Sequence, residues 1–299
     1  MKKENLYKLT GEAGWPYANS QYWKKGDYLI HYRVDEAKGK EKAKMLMIHG
    51  FACNTALFDE LVAIYTKAGI KCVRIDLPDF GYSTKQTKGI NYIPQTQLVE
   101  EMMAEMDPDN TGWILLGHSM GGSVSLEMKL ETNAKINAII LNTPMFMANV
   151  PKFLGQMMLA KPMCAIMDSA IAAICDIDVF FKLAILIMTW NPIYTLKFET
   201  DRISGPFKTE KSGSGLCYMT SLAHCPNIEN IKDFDIPVQL VTGSMDMFVM
   251  PSVKANLIKH LPNTTDCRNI VTGGHCLMQD KADKAGKWGL EFLKKNGLI

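Results

Sequence analysis

Gly112-Trp113-Ile114-Leu115-Leu116-Gly117-His118-Ser119-Met120-Gly121 is the stretch that decides the fold. Its first half is a short apolar run, which predicts a strand buried on both faces. Its second half spells Gly-x-Ser-x-Gly. Gly122-Ser123-Val124-Ser125-Leu126-Glu127-Met128 then continues with residues that a helix accepts. A strand that turns sharply into a helix needs small residues two before and two after the serine, because the backbones approach closely there. The serine is pushed out at the top of the sheet. It also sits at a helix N-terminus, where unpaired N–H groups favour developing negative charge. A glycine-rich turn would produce the pentapeptide by itself, so the flanking strand and helix give it meaning.

Working outward, strands and helices alternate. Gly26 to Val34 alternates like a strand, and Lys44 to Ile48 is a buried strand ending in His49-Gly50. Ala56 to Tyr65 has helical spacing and closes at Gly69, a natural helix stop. Ile70 to Ile75 is the next strand, Gln97 to Met106 a helix, and Asp107-Pro108-Asp109-Asn110 a turn. Ile136–Leu141, Val238–Thr242 and Asp266–Val271 are further strands, and the last helix runs from Ala282 to Lys295. The pattern predicts an α/β fold, with a mostly parallel central sheet and helices on both faces. It breaks once. Residues 145–235 are rich in Met, Ile and Ala at helical spacing, and predict a helical cap inserted over the strand ends of a core made of 1–144 and 236–299. Inside the insertion, Leu183 to Leu196 carries no charge but is too short to span a bilayer, and reads as a buried cap helix followed by a turn at Asn191-Pro192.

The chain has 299 residues, 47% hydrophobic and 21% charged, enough for a sizeable core of globular type. Net charge is +2 with no basic patch, which argues against nucleic acid as a partner. Eight cysteines form no Cys-x-x-Cys pair, and most lie in apolar runs, so they read as reduced thiols of a cytoplasmic protein; their even number leaves disulfide bridges open as the alternative. Met1-Lys2-Lys3-Glu4-Asn5 leads into polar and aromatic residues, without the apolar segment of a signal peptide. His31, His224 and His260 show no ligand spacing, and no metal or organic cofactor is expected. Stable membrane insertion is not expected, and a homodimer stays open.

On these residues the chain resembles the serine hydrolases of the α/β-hydrolase fold, over roughly 26–144 and 236–296. The order of that family is nucleophile, acid, histidine, and Ser119, Asp246 and His275 match it. Asp246, in Thr242-Gly243-Ser244-Met245-Asp246, and His275, in Gly273-Gly274-His275, each follow a strand, where open α/β sheets carry their sites. The place after the strand before the cap holds Asn142-Thr143-Pro144 and no carboxylate. His49-Gly50-Phe51 resembles the family's oxyanion segment, which implies the backbone N–H groups of Phe51 and Met120 as donors. His49 reads as a loop anchor, and His118 is given no catalytic role. Asp76-Leu77-Pro78-Asp79-Phe80-Gly81-Tyr82-Ser83 resembles a structural loop of the family in which Asp79 stands where glycine is usual, so a different backbone is expected there. Asp280 reads as a surface residue.

The resemblance implies hydrolysis of carboxylic esters through an acyl-enzyme on Ser119. The apolar cap points to a small-molecule ester with a hydrophobic part. Cys53, Met158, Met188 and Cys276 are candidate pocket residues. Carbon–carbon hydrolysis of a diketone, thioester hydrolysis and acyl transfer would use the same three residues. A non-catalytic receptor for a hydrophobic ligand is the reading from another class.

Overall fold

The structure, a computed structural model, describes residues 7–85, 93–145, 150–222 and 230–299. The reading of Met1–Asn5, His224, Cys225 and two stretches of the insertion, 146–149 and 223–229, lie outside the described residues.

Among the described residues eight strands form one sheet: β1 (Ser20–Lys25), β2 (Tyr28–Asp35), β3 (Ala43–Ile48), β4 (Ile70–Ile75), β5 (Trp113–His118), β6 (Ile136–Asn142), β7 (Val238–Gly243) and β8 (Asp266–Ile270). Their order is β1-β2-β4-β3-β5-β6-β7-β8. β1 with β2 and β2 with β4 pair antiparallel, and the remaining pairs are parallel. The fold is α/β, as expected from the alternation. The sequence reading did not include β1. Ser-Gln-Tyr-Trp-Lys-Lys mixes polar and aromatic residues on an exposed edge, so it carries no continuous apolar run.

All six residues of β5 are buried, and its neighbours show why. Trp113 and Leu115 join Leu46 and Ile48 of β3 and Ile139 and Leu141 of β6 on one face of the sheet. Ile114 and Leu116 join Met45, Met47, Ala138 and Ile140 on the other. The period of two therefore sends alternate side chains into two separate cores. Helices α1 (Asp59–Lys67) and α12 (Ala282–Lys295) cover the second face, and α2 (Gln95–Met106) and α3 (Met120–Glu131) the first. Cys72 and Cys276 are buried among these apolar side chains, and among the described residues every cysteine is free.

Between β6 and β7 the described residues form α4 (Lys152–Met158), α5 (Lys161–Ile174), α6 (Asp178–Thr189), α7 (Pro192–Lys197), α8 (Asp201–Phe207) and α9 (Ser212–Ser221). α4 and α5 pack on α9. The expectation of a buried helix at 183–196 is corrected here. α6 buries Phe181, Ile185 and Thr189, but Val179, Leu183 and Ile187 lie on its open face. The Asn191 side chain accepts from the Tyr194 N–H and starts a new helix where only a turn was expected. No single helix among the described residues is long and apolar enough to cross a membrane.

Candidate active site

β5 delivers Ser119 to the upper edge of the sheet with φ 51° and ψ −120°. A positive φ costs a residue with a Cβ on the order of 1–3 kcal/mol, and it persists where the surroundings over-determine it. Here they do. A Cβ at Gly121 would strike the Ile48 carbonyl, and one at Gly117 would strike the Gly121 carbonyl. The Ser119 N–H donates to the Asn142 carbonyl at 3.2 Å, and the Ser119 carbonyl accepts from Gly122 and Met145. The turn is thus tied to both β6 and α3, and the serine is 3% exposed.

His49-Gly50-Phe51 lies against this turn, since a Cβ on Gly50 would sit 2.9 Å from that of Ser119. His49 is a buried anchor. One ring nitrogen accepts from the Leu77 N–H at 3.0 Å, and the other faces the Gly50 carbonyl at 2.7 Å. Burial lowers its pKa, which favours the neutral ring near neutral pH. Among the described residues the Phe51 and Met120 amides make no hydrogen bond to another group, which leaves both free to donate beside Ser119.

Asp246 and His275 come from the loops after β7 and β8. His275 Nδ1 lies 3.1 Å from each Asp246 oxygen. The Asp246 Oδ1 also accepts from the Phe248 and Val249 amides at 2.9 and 3.1 Å. Burial alone would raise this carboxyl's pKa. The hydrogen bond and charge of His275, with the two amides, outweigh burial and hold it below the ordinary carboxylate range. His275 is fixed at three further points. Its N–H donates to the Met188 carbonyl at 2.7 Å, its carbonyl accepts from Thr143 Oγ1 at 2.7 Å, and the Phe248 ring packs on it at 5.1 Å. The His118 ring lies 4.8 Å from that of His275, so the end of β5 packs on the loop after β8. Among the described residues no hydrogen bond joins Ser119 to His275. In free enzymes such contacts are often long and tighten around the substrate.

The sequence reading assigned Thr143 and the Met188 carbonyl no role in anchoring His275, and did not point to Phe248. Thr143 stands 132 residues from His275, and neither a threonine after a strand nor a main-chain oxygen announces such a bond. His118 is buried, with Nδ1 near Asn142 and Thr143 and Nε2 3.9 Å from the Cys276 sulfur. Burial, then the neighbouring His275, pushes its pKa well down.

Beside Phe51 a cavity of about 60 Å³ opens between α6, α8 and the core. Cys53, Met188 and Cys276 line it. Met158 does not. It ends α4, half-buried, with its carbonyl near the Cys164 thiol, on the part of the insertion that packs on α9 rather than on the core. Burial pushes the Cys53 thiol up to about 12 and that of Cys276 well up, so neither is a thiolate at neutral pH.

Asp79 adopts φ 72°, a left-handed conformation that glycine favours and aspartate tolerates. One further expectation is corrected. The Asp280 side chain is fully buried rather than superficial. It pairs with Lys281 at 2.8 Å and accepts from Asn191 at 3.2 Å, at the junction of insertion and core.

The sequence profile of the hydrolase family described as serine aminopeptidase, S33, matches residues 39–191. A Synechocystis protein described as a non-heme chloroperoxidase is 23% identical over 259 residues, covering 84% of this chain and 91% of its own. Phospholipase YtpA of Bacillus subtilis is 32% identical over 106 residues, covering 34% of this chain and 40% of its own. The solved esterase of Exiguobacterium antarcticum superposes with a TM-score of 0.69 at 13% identity, over 91% of this chain and 98% of that one. With a family match over more than half its length, on this fold, the chain belongs to the serine aminopeptidase S33 family of the α/β-hydrolase superfamily.

Proposed function

We propose that the protein hydrolyses carboxylic esters with a hydrophobic part, through an acyl-enzyme on Ser119. The observation that supports this most is the placement of a strained serine beside two free amides and next to the anchored His275–Asp246 pair. Ser119 Oγ attacks the ester carbonyl while His275 Nε2 takes its proton. The Phe51 and Met120 N–H groups donate to the oxyanion that forms. Asp246, ionised at neutral pH, fixes the imidazole tautomer and stabilises the imidazolium. His275 returns the proton to the departing alcohol. It then deprotonates a water that attacks the acyl carbon, and collapse of that intermediate releases the acid and restores the Ser119 hydroxyl. The insertion acts as the cap, with α6 forming a wall of the cavity that takes the apolar part of the substrate.

The test is a series of p-nitrophenyl esters of increasing acyl length, set beside a panel of diketones, together with a fluorophosphonate label. Ester turnover and label on Ser119 are expected. Labelling with diketone cleavage but no ester cleavage would move the proposal to carbon–carbon hydrolysis. No labelling and no turnover of folded protein would overturn the enzymatic reading.

A further inference from the structure

Lys85 carries a charge into the interior and takes no part in the chemistry described so far. It is 6% exposed, and its Nζ donates to the carbonyls of Phe80, Gly81 and Ser83 at 3.1, 2.7 and 2.9 Å. Its stem lies under the insertion, since a Cβ on Gly215 of α9 would sit 3.2 Å from Lys85 Cδ. On its other side a small space is shared with Ala52 and Cys53, which follow Phe51 in the chain. An ammonium has three hydrogens and meets all three carbonyls. A neutral amine has two, and leaves one of these acceptors unmet. The charge therefore keeps the turn 80–83 gathered.

That turn rests on the segment His49-Gly50-Phe51. The Phe80 ring meets the His49 ring at 5.5 Å and the Phe51 ring at 5.4 Å, both edge to face. The Phe80 N–H donates to the Leu77 carbonyl at 3.1 Å, and the Leu77 N–H donates to His49 Nε2 at 3.0 Å. An accepting Nε2 leaves the ring hydrogen on Nδ1, which donates it to the Gly50 carbonyl at 2.7 Å. The Gly50 carbonyl and the Phe51 N–H belong to one planar peptide unit and point in opposite directions. Fixing the first aims the second.

We infer that Lys85 is a positioning residue for the oxyanion donor: through the turn 80–83 and His49 it holds the Gly50–Phe51 peptide so that the Phe51 N–H stays aimed beside Ser119. This role rests on the ester-hydrolase reading for the reaction that it serves. The groups that face Lys85 set the pH at which the hold weakens. Burial lowers its pKa and the charges of Asp76 and Asp79 raise it, and the balance falls at about 8, against an ordinary 10.5. His49 is moved the other way from its titration, since burial lowers its pKa, and burial pushes the Cys53 thiol up to about 12. Of this set, Lys85 is the group that changes charge between pH 7 and pH 9.5. The sign for stability is opposite to that for activity. A lysine depressed in the folded state gives a contribution that grows from about pH 8 to about pH 10.5, so its own titration does not unfold the protein.

Two measurements from pH 7 to pH 9.5 test it. Gly50-Phe51 is the one Gly–Phe dipeptide in the chain, so carbonyl-13C glycine with 15N phenylalanine picks out the Gly50 carbonyl as a single split NMR signal. That signal should titrate near pH 8 in wild type and stay in place in Lys85→Arg, whose guanidinium keeps its charge. In Lys85→Met it should stand at its high-pH position already at pH 7. Over the same range kcat and kcat/KM for p-nitrophenyl hexanoate should fall together by about tenfold in wild type, as expected for a donor that acts in the transition state, while the melting temperature holds. The fall should be absent in Lys85→Arg. A carbonyl signal that does not move in wild type, or that titrates alike in Lys85→Arg, overturns the role. So does a signal that titrates while kcat stays level, because the hold on the peptide would then have no consequence for the reaction. The wild-type titrations decide even where a variant does not fold. If no ester is cleaved, the hydrolase reading fails, and the carbonyl signal still judges whether Lys85 holds the peptide.

Discussion

Two buried histidine–aspartate pairs stand in this fold, and in the proposed mechanism one is a support and the other a reagent. His31 Nδ1 lies 2.7 Å from Asp76, and its Nε2 lies 2.8 Å from Ser20 Oγ, so both ring nitrogens are committed. The Asp76 carboxylate also accepts from the Thr55 and Tyr82 amides, at 2.6 and 2.8 Å, which seals the loop after β4. In the other pair His275 Nδ1 is committed to Asp246, but among the described residues its Nε2 has no partner. The residue types, burial and ion-pair chemistry match. What differs is one open valence beside a serine. A saturated pair can only hold structure, whereas an open one can move a proton.

The comparison would break most visibly at Ser119. Ser119→Ala should lower ester turnover by several orders of magnitude with the melting temperature nearly unchanged. More than a few per cent residual activity in a sample whose circular dichroism is native would leave His275 without a reaction to serve.

Exchanging the two aspartates for asparagine sharpens the contrast. Asp246→Asn should cost about 10³–10⁴-fold in kcat through loss of the tautomer lock, with modest loss of stability. Asp76→Asn should cost about 3–5 kcal/mol of stability, because it leaves a buried network without its charge. Its kcat per folded molecule should stay near wild type. Urea unfolding and active-site titration on both variants separate the two effects. A larger kcat loss in Asp280→Asn than in Asp246→Asn would instead shift the acid to the buried Asp280.

Much of this contrast was legible in the sequence. Ile70–Ile75 and Ala282–Lys295 match β4 and α12 end to end: Ile70, Cys72, Val73 and Ile75 make a short β-branched-rich segment after the Gly69 stop, and the amphipathic run ends at Gly297. Ser119 stood out by its strand–turn–helix context, and Asp246 and His275 by the order of residues that the family resemblance implies, each placed after a strand. The anchoring of His275 by Thr143 and by the Met188 carbonyl was not legible, since both partners come from distant segments and neither contact needs an unusual residue. The open face of α6 was missed for a related reason. Its sequence is apolar all round, and only the surrounding structure decides which side is covered.

Acid should distinguish the pairs by stability. Asp76 is fully buried, which by itself raises its pKa. The charge and hydrogen bond of His31, the charge of His49 and the Tyr82 amide bring it down to about 2, from an ordinary 3.8. A depressed carboxylate stabilises the fold above its unfolded pKa and loses that contribution as pH falls through the folded value. Roughly 2–3 kcal/mol should therefore disappear between about pH 4 and pH 2. Unfolding free energies measured across this window should converge for wild type and Asp76→Asn as pH drops. Parallel curves would show that the charge of Asp76 contributes nothing to the network.

The smallest expected effect concerns what surrounds the open pair. Met188, whose carbonyl holds His275, also lines the cavity beside Phe51. Met188→Ala enlarges that space while leaving the main-chain bond in place. It should shift the ratio of kcat/KM between short and long acyl esters by about 1–3 kcal/mol, the amount expected for one or a few methylenes in an apolar pocket. Met158→Ala is the control. Met158 lies on the part of the insertion that packs on α9, and its loss should lower stability slightly and leave the acyl-length profile unchanged. The contrast is informative because both residues are methionines on inserted helices, so composition and helical spacing cannot tell them apart. Only contact with the loop that carries His275 does. An equal shift from both variants would mean that specificity follows the general looseness of the insertion, and Met188 would lose its place as the link between catalysis and substrate choice.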